Sequence, residues 1–466
     1  MQSWFELCGM NTTSSGFVFS VPYEIAVVRP LRQTTPADRE AALRAAYFNT
    51  ELIPQDLIYI DLSTDSGVSS LSTTQLGAMA APSKIEPGMG LASEGSRSYA
   101  LLAEQVQRVF GFPYFVATPQ GRAAERIWTK IHIRPNTFVI GNLLFPSTRV
   151  HIEMNGAKII EAVDDAAYDL VSNEPFKGNL DLKKLESAIN EKGSDHISCI
   201  YIELGDNASG GHPVSLANLR AVKEVAAGRK LPVFFDACRI LENSYLLKER
   251  ELSCHDRTIL EIVRETCELA DGCTLSALKN FLVLSGGLIL TREQSTYQKA
   301  MMQAFLDGAQ LTGSAMDQLA IALGDIFACD SYVQSRVEQV RYLWQRLEGR
   351  LPVVRPAAGH AVFIDVKAFL PDFKSEDFPM EALAAFLYQY AGIRVTKGPP
   401  LGPSQVARGI ELLRLAVPPR KYLNRHLDDV AEALMYCYDR RSEIKPLKRV
   451  EQPGRGKYDP AHFAMI

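Results

Sequence analysis

Short runs rich in β-branched and aromatic residues alternate with amphipathic stretches through the middle of the chain. Phe138–Gly141, Ile197–Leu204 and Pro232–Phe235 are such runs, punctuated by glycine or polar residues, the pattern of strands buried on both faces. Between the last two, Leu216, Leu219, Val222, Lys223 and Ala226 recur at helical spacing and predict a helix over Ser215–Ala227, with Ser215 as its cap. Strand, helix and strand in succession make a βαβ unit, which implies a parallel sheet in an α/β domain. Ligands of such sheets sit at the carboxyl ends of the strands.

From about Ser331 the character changes. Long amphipathic helices over Val333–Arg350, Pro379–Ala391 and Asn424–Arg440 surround strand-like Ala361–Val366 and Leu412–Val417, the pattern of a smaller α+β domain. Its partner is expected in the Glu24–Asp56 region. The expected division is 1–60 as the N-terminal part of the small domain, 61–330 as the large domain and 331–466 as the rest of the small one. Lys445–Ile466 is polar and contains proline, and is expected to wrap a surface.

Charge and composition narrow the function. With 466 residues, 50 Lys+Arg against 54 Asp+Glu and a net charge of −4, the chain has no electrostatic footprint for nucleic acid. The opening MQSWFELCG does not read as a secretory signal, and the most apolar run, Phe281–Leu290, is too short to span a bilayer. No membrane association is expected. The eight cysteines show no CxxC pair and no zinc-like spacing with histidine, so a reduced, cytoplasmic setting is the simplest reading.

Four segments fall where an α/β site needs them. Thr118-Pro119-Gln120-Gly121-Arg122-Ala123-Ala124-Glu125 is a turn leading into helix formers, where backbone N–H groups, a glycine and an arginine together suit a phosphate. Asp236 follows the strand Val233-Phe234-Phe235 directly, and an acid there needs a partner such as a ring nitrogen; capping a helix is the plainer alternative. Lys279, in Ser276-Ala277-Leu278-Lys279-Asn280, lies among apolar residues that are expected to disfavour its charge and so free an amine nucleophile. Gly205-Asp206-Asn207-Ala208-Ser209-Gly210-Gly211 is a glycine-rich strand exit of the kind that contacts ligands. A phosphate cradle, a strand-end aspartate and a downstream lysine, in that order, describe a pyridoxal phosphate site.

With those segments in place the chain resembles the tryptophanase and tyrosine phenol-lyase family of β-eliminating lyases, fold-type I (aspartate aminotransferase-like) pyridoxal phosphate enzymes. The matching strings run from Phe48-Asn49-Thr50 and Ile58–Gly67 through GFPYFVATPQGRAAE, PFKGNLDL, GGHPVSLANLRAV, ENSYLLKERE and AGGHAVFIDV to Leu412–Pro418, nearly the whole chain. The resemblance implies an α/β fold with a large, mostly parallel sheet domain. It implies that Gln120, Gly121, Arg122 and Ser276 hold the cofactor phosphate, that Phe145 stacks on its ring and that Asp236 pairs with the pyridine nitrogen. Arg239 and Asn207 would lie by the phenolic oxygen, and Lys279 would form the Schiff base. Thr64, Ser66, Asn207 and Arg414 would hold the substrate α-carboxylate, a task suited to the planar, permanently charged guanidinium. A homodimeric or tetrameric assembly is implied as well.

Certain positions depart from the family pattern. Ser93 stands where the family has the tyrosine that protonates the leaving group, and Met89 or Gly90 falls where an acid helps bind an activating monovalent cation, K+. Leu278 replaces a second lysine. Glu94 and Tyr99 are candidates for a substitute acid, though a surface carboxylate and a packed aromatic are the simpler readings. His360 also matches a family histidine, with a structural role favoured. The expected activity is removal of the side chain of an L-amino acid by α-proton abstraction and β-elimination, giving aminoacrylate, then pyruvate and ammonia. The altered leaving-group side makes β-replacement, decarboxylation, aldol cleavage or transamination the alternative.

Overall fold

The computed structural model describes residues 21–24, 28, 30–80, 95–398, 402–451 and 460–466. They divide into two units. The first is built mainly from Ser66–Ala167 and Glu174–Val337, the second from Glu24–Asp65, Tyr168–Asn173 and Glu338–Ile466.

A seven-stranded sheet organises the first unit. Its strands are β1 Tyr114–Thr118, β2 Phe138–Gly141, β3 Lys158–Glu161, β4 Ile197–Glu203, β5 Val233–Asp236, β6 Gly272–Ser276 and β7 Gly287–Thr291. They lie in the order β1-β7-β6-β5-β4-β2-β3. Strand β7 runs antiparallel to both β1 and β6, and every other pairing is parallel. The three strands read from the sequence are β2, β4 and β5, shifted by at most one residue at an end. The helix between β4 and β5 spans Leu216–Arg229, and the Ser215 hydroxyl caps it by accepting from the Asn218 amide at 3.1 Å.

Residues along each central strand alternate between two cores, as the twofold side-chain period of a strand requires. Ile200, Ile202, Phe235, Cys273 and Leu275 pack on one face with Val106 and Phe110 of the helix Arg97–Phe110. Cys199, Tyr201, Phe234 and Ile289 pack on the other with Ile127 and Trp128. Both faces are covered, and the acidic side chains of β4 and β5, Glu203 and Asp236, stand at the carboxyl ends.

In the second unit, Thr396–Lys397, Leu412–Ala416 and Ala361–Asp365 form a three-stranded antiparallel sheet, and Ile60–Asp61 pairs in parallel with Ile393–Arg394. The expected long helices form as Ser331–Leu347, Pro379–Ala391 and Asn424–Asp439. The C-terminal stretch departs from expectation. Leu447–Val450 and His462–Met465 pair as an antiparallel ribbon, and Leu447 and Phe463 are buried in the core of this unit. Lys448 and Arg449 are exposed, so the overall polarity of the segment conceals its buried face.

Where β1 gives way to the next helix, backbone approaches backbone without room for a side chain. A Cβ on Gly287 would stand 2.5 Å from the carbonyl carbon of Gln120. Gly287→Ala should therefore destabilise the protein by about 1–3 kcal/mol through overpacking, read as a lowered melting temperature. An unchanged melting temperature would contradict this packing.

Candidate active site

The carboxyl ends of β4, β5 and β6, the helix starts beside them and the turns that follow carry the chemistry of the first unit. The turn after β1 enters the helix α1, Gly121–His132, whose N-cap Gln120 makes no side-chain capping bond. Gln120 bridges to Gly286, and a Cβ on Gly121 would lie 2.7 Å from the Cβ of Ser276. Gln120, Gly121 and Ser276, distant in sequence, are thus pressed together at a helix start, while the Arg122 side chain beside them is exposed. Backbone donors, a hydroxyl and a guanidinium in that arrangement suit a phosphate.

Ser276 ends β6 and occupies the N-cap position of the short helical turn Ala277–Asn280, which carries Lys279, without a side-chain capping bond. The Lys279 ammonium lies 4.9 Å from the centre of the Phe145 ring. Phe145 is the N-cap of a helix, α2, over Pro146–Met154. The Gly67 amide donates to the Leu278 carbonyl at 3.0 Å, which brings the Ser66-Gly67 turn against the residue preceding the lysine.

Asp236 is buried at the end of β5, and its carboxylate accepts from the Cys238 amide at 2.9 Å. It is not a helix cap, since the next helix starts at Ile240 with Arg239 as its N-cap. The Arg239 guanidinium is buried and lies 3.6 Å from Glu242. Gly205, with φ of 67°, packs where a Cβ would be 2.7 Å from the Cβ of Arg239. Asn207 is buried in the same turn, and its amide donates to Glu203 at 3.1 Å.

Acidic groups dominate the electrostatics. Burial and the charge of Asp236 push the Glu125 carboxyl up to about 7, although the Ser147 hydroxyl donates to it at 2.6 Å and Lys279 and Arg122 oppose the rise. Burial, followed by Asp206 and Asp236, holds Glu203 well above the ordinary carboxyl range, which favours its protonated form. Burial lowers the affinity of Lys279 for its proton, but Cys238, Asp236 and Glu125 together outweigh burial and Arg239, so its pKa lies above the ordinary value. This corrects the expectation from its apolar sequence neighbours. The groups that hold the lysine charged come from α1 and from the end of β5, which local sequence does not display.

Two further predicted residues, Arg414 and Thr64, lie on the second unit. Arg414 sits on the strand Leu412–Ala416, and its guanidinium donates to the Ser63 carbonyl at 3.3 Å, next to half-buried Thr64. His360, in the same unit, is buried edge-on to Phe363. In the first unit Tyr99 stacks on Phe115 and shares a hydrogen bond with the Tyr297 hydroxyl, a packed aromatic. Ser93, Glu94, Met89 and Gly90 lie outside the described residues, as does Cys8. The described cysteines are free, and all but Cys329 are buried. Among the described residues no group of three or more acidic, histidine or cysteine side chains could hold a metal, and no helix is long and apolar enough to cross a membrane.

Residues 61–433 match the family model for β-eliminating lyases. The chain belongs to the β-eliminating lyase family. It is 39% identical over 458 residues to the tyrosine phenol-lyase of Symbiobacterium sp. (strain SC-1), covering 96% of this chain and 98% of that one. The tyrosine phenol-lyase of Pasteurella multocida (strain Pm70) is 38% identical over 455 residues, covering 95% and 98%. Among solved structures, an aminotransferase from Staphylococcus aureus aligns with a TM-score of 0.59 at 16% identity, over 82% of this chain and 94% of that one. A Leishmania major threonine aldolase aligns with a TM-score of 0.58 at 16% identity, over 81% and 99%. The fold is that of the fold-type I pyridoxal phosphate enzymes, and the protein is a pyridoxal phosphate-dependent lyase of the β-eliminating family.

The first unit fits that cofactor. It offers a lysine amine, an aromatic ring centred 4.9 Å from that amine, a buried strand-end carboxylate and a glycine cradle at a helix start. Sequence reading missed the buried acids Glu125, Glu203 and Asp206 as a group. A glutamate one turn into α1 and another closing a largely apolar strand were the available signals.

The folded protein binds the Glu125 proton more tightly than the unfolded chain does. Stability of the cofactor-free protein should therefore fall as pH rises from the ordinary carboxyl range through about 7. Glu125→Gln should flatten that fall in melting temperatures measured across the range. An identical slope in the variant would contradict the placement of Glu125.

Proposed function

We propose that the protein cleaves the bond between the β-carbon of an L-amino acid and its substituent, releasing pyruvate and ammonia. The observation that carries this reading is the meeting of Lys279 with Phe145, Asp236 and the Gly121–Ser276 contact at the carboxyl ends of the strands, in a chain of the β-eliminating lyase family.

In this reading Gln120, Gly121, Arg122 and Ser276 hold the phosphate of pyridoxal phosphate, Phe145 covers one face of its ring, and Arg239 and Asn207 lie by its phenolic oxygen. Asp236 presents a buried carboxylate to the ring nitrogen and keeps a proton there. When bound, the cofactor supplies an electron sink for charge developing at the substrate α-carbon. Lys279 would hold the cofactor through Nζ, and the same atom, when free, would take the substrate α-proton. Thr64, Ser66, Asn207 and Arg414 keep in this proposal the α-carboxylate role that the family resemblance gives them, a task suited to a planar, permanently charged guanidinium.

Serine at position 93 bears on the leaving group. A positioned general acid is typically worth about 10²–10⁴-fold, so groups that depart as stable anions are favoured over an aromatic carbon that must be protonated. The relatives at 36–39% identity are named tyrosine phenol-lyases, which makes L-tyrosine the aromatic substrate to compare. A homodimeric or tetrameric assembly in the cytoplasm belongs to the same proposal, supported by the family and by the free cysteines.

The wild-type protein should release pyruvate and ammonia in equal amounts from an S-substituted L-cysteine, and faster than from L-tyrosine. Lys279→Ala should abolish both products. Turnover that survives Lys279→Ala, or a product that retains the amino group, would overturn the reading.

A further inference from the structure

The glycine-rich turn after β4 closes on itself around one carboxyl group. Asp206 is fully buried, and its Oδ1 accepts from the Ala208 amide at 2.9 Å and the Ser209 amide at 3.1 Å. Its main chain seals the same turn. The Asp206 carbonyl accepts from the Gly211 amide at 2.7 Å and the Ser209 hydroxyl at 3.0 Å, and residues 206 and 212 bridge in antiparallel fashion. The Asn207 amide is taken by Glu203 Oε1. Three successive amides, those of Asn207, Ala208 and Ser209, are thus absorbed by two buried acids.

The other Asp206 oxygen leaves the turn. Oδ2 accepts from the Leu143 amide at 3.3 Å, two residues before Phe145 on the turn that follows β2. Asn142 strengthens the junction, because its side chain donates to the Glu203 carbonyl at 2.9 Å and to the Gly178 carbonyl at 3.1 Å, and accepts from the Glu203 amide at 2.9 Å. Within this junction the Leu143 bond is the contact made by the carboxyl of Asp206.

We propose that Asp206 is a positioning residue, a single buried carboxyl that ties the turn bearing Phe145 to the turn bearing Asn207 so that the two side chains are set against the cofactor as one unit. The inference rests on the proposed roles of Phe145 and Asn207. An Asx turn alone would need only Oδ1; the reach of Oδ2 across to the exit of β2 is what assigns the second role. A bond from a buried amide to a carboxyl is worth enough that its loss changes an equilibrium by about tenfold or more.

Asp206→Asn and Asp206→Ala separate the two roles. The asparagine side chain keeps an oxygen for Ala208 and Ser209 but turns an NH2 toward the Leu143 amide, so it breaks the tie and spares the turn. Cofactor-free Asp206→Asn should lose some melting temperature, because the buried Leu143 amide is left facing an NH2, but less than Asp206→Ala, which gives up the Ala208 and Ser209 bonds as well. Asp206→Asn should bind pyridoxal phosphate about tenfold more weakly and lose visible circular dichroism of the bound cofactor, which reports a ring no longer held in one orientation. Asp206→Ala should lose both the cofactor signal and stability. Wild-type dichroism and affinity in Asp206→Asn, with the Lys279-dependent cofactor absorption intact, would overturn the inference alone. Cofactor absorption that persists in Lys279→Ala would instead overturn the reading on which it rests.

Discussion

Acid buried at the carboxyl ends of parallel strands is the constraint on which the rest of this molecule depends. Both faces of the sheet are covered, and at the carboxyl ends of β4 and β5 Glu203 and Asp236 stand as register partners on adjacent strands. Two carboxyls side by side in low dielectric cannot both ionise cheaply. The structure answers with the backbone amide of Asn207 on Glu203 and that of Cys238 on Asp236, with a raised proton affinity at Glu203, and with the positive charge of Lys279. The same arrangement that relieves the buried acid also collects, at the carboxyl ends of the strands, a proton-binding amine and a strand-end carboxylate.

The position of Lys279 follows from that balance. Four groups set its charge, and with the lysine they come from three separate stretches of chain: Glu125 on α1, Asp236, Cys238 and Arg239 at and after the end of β5, and the lysine itself after β6. A lysine whose charged form is favoured is a poor nucleophile until something alters its surroundings. In the proposed function, a cofactor ring nitrogen paired with Asp236 would do so. The chemistry therefore depends on the filled site as a whole, which is why the family's activity cannot be assigned to the lysine by itself.

Much of the scaffold is legible in the sequence because burial on both faces writes itself as uninterrupted β-rich runs. Phe138–Gly141 forms as read, and Ser215 caps its helix. The order of Gln120, Asp236 and Lys279 is legible too, since each lies at or just past a strand end. What escapes is what depends on contacts distant in sequence. The antiparallel direction of β7 leaves no mark in its composition. The C-terminal ribbon buries Leu447 and Phe463 amid lysine and arginine, too few apolar positions to stand out. The charge state of Lys279 is hidden because the groups that raise its proton affinity are brought by other elements. Asp206 reads as one more polar residue in a glycine-rich turn, and only the reach of its second oxygen to Leu143 sets it apart.

The central claim is that Lys279 is the residue bonded to pyridoxal phosphate. Borohydride reduction of the holoenzyme, followed by peptide mass spectrometry, tests it most directly. The account predicts a reduced pyridoxyl group on the peptide containing Lys279 and on no other lysine. The same modification on a different lysine, or none in a protein that retains its cofactor absorption, would contradict it.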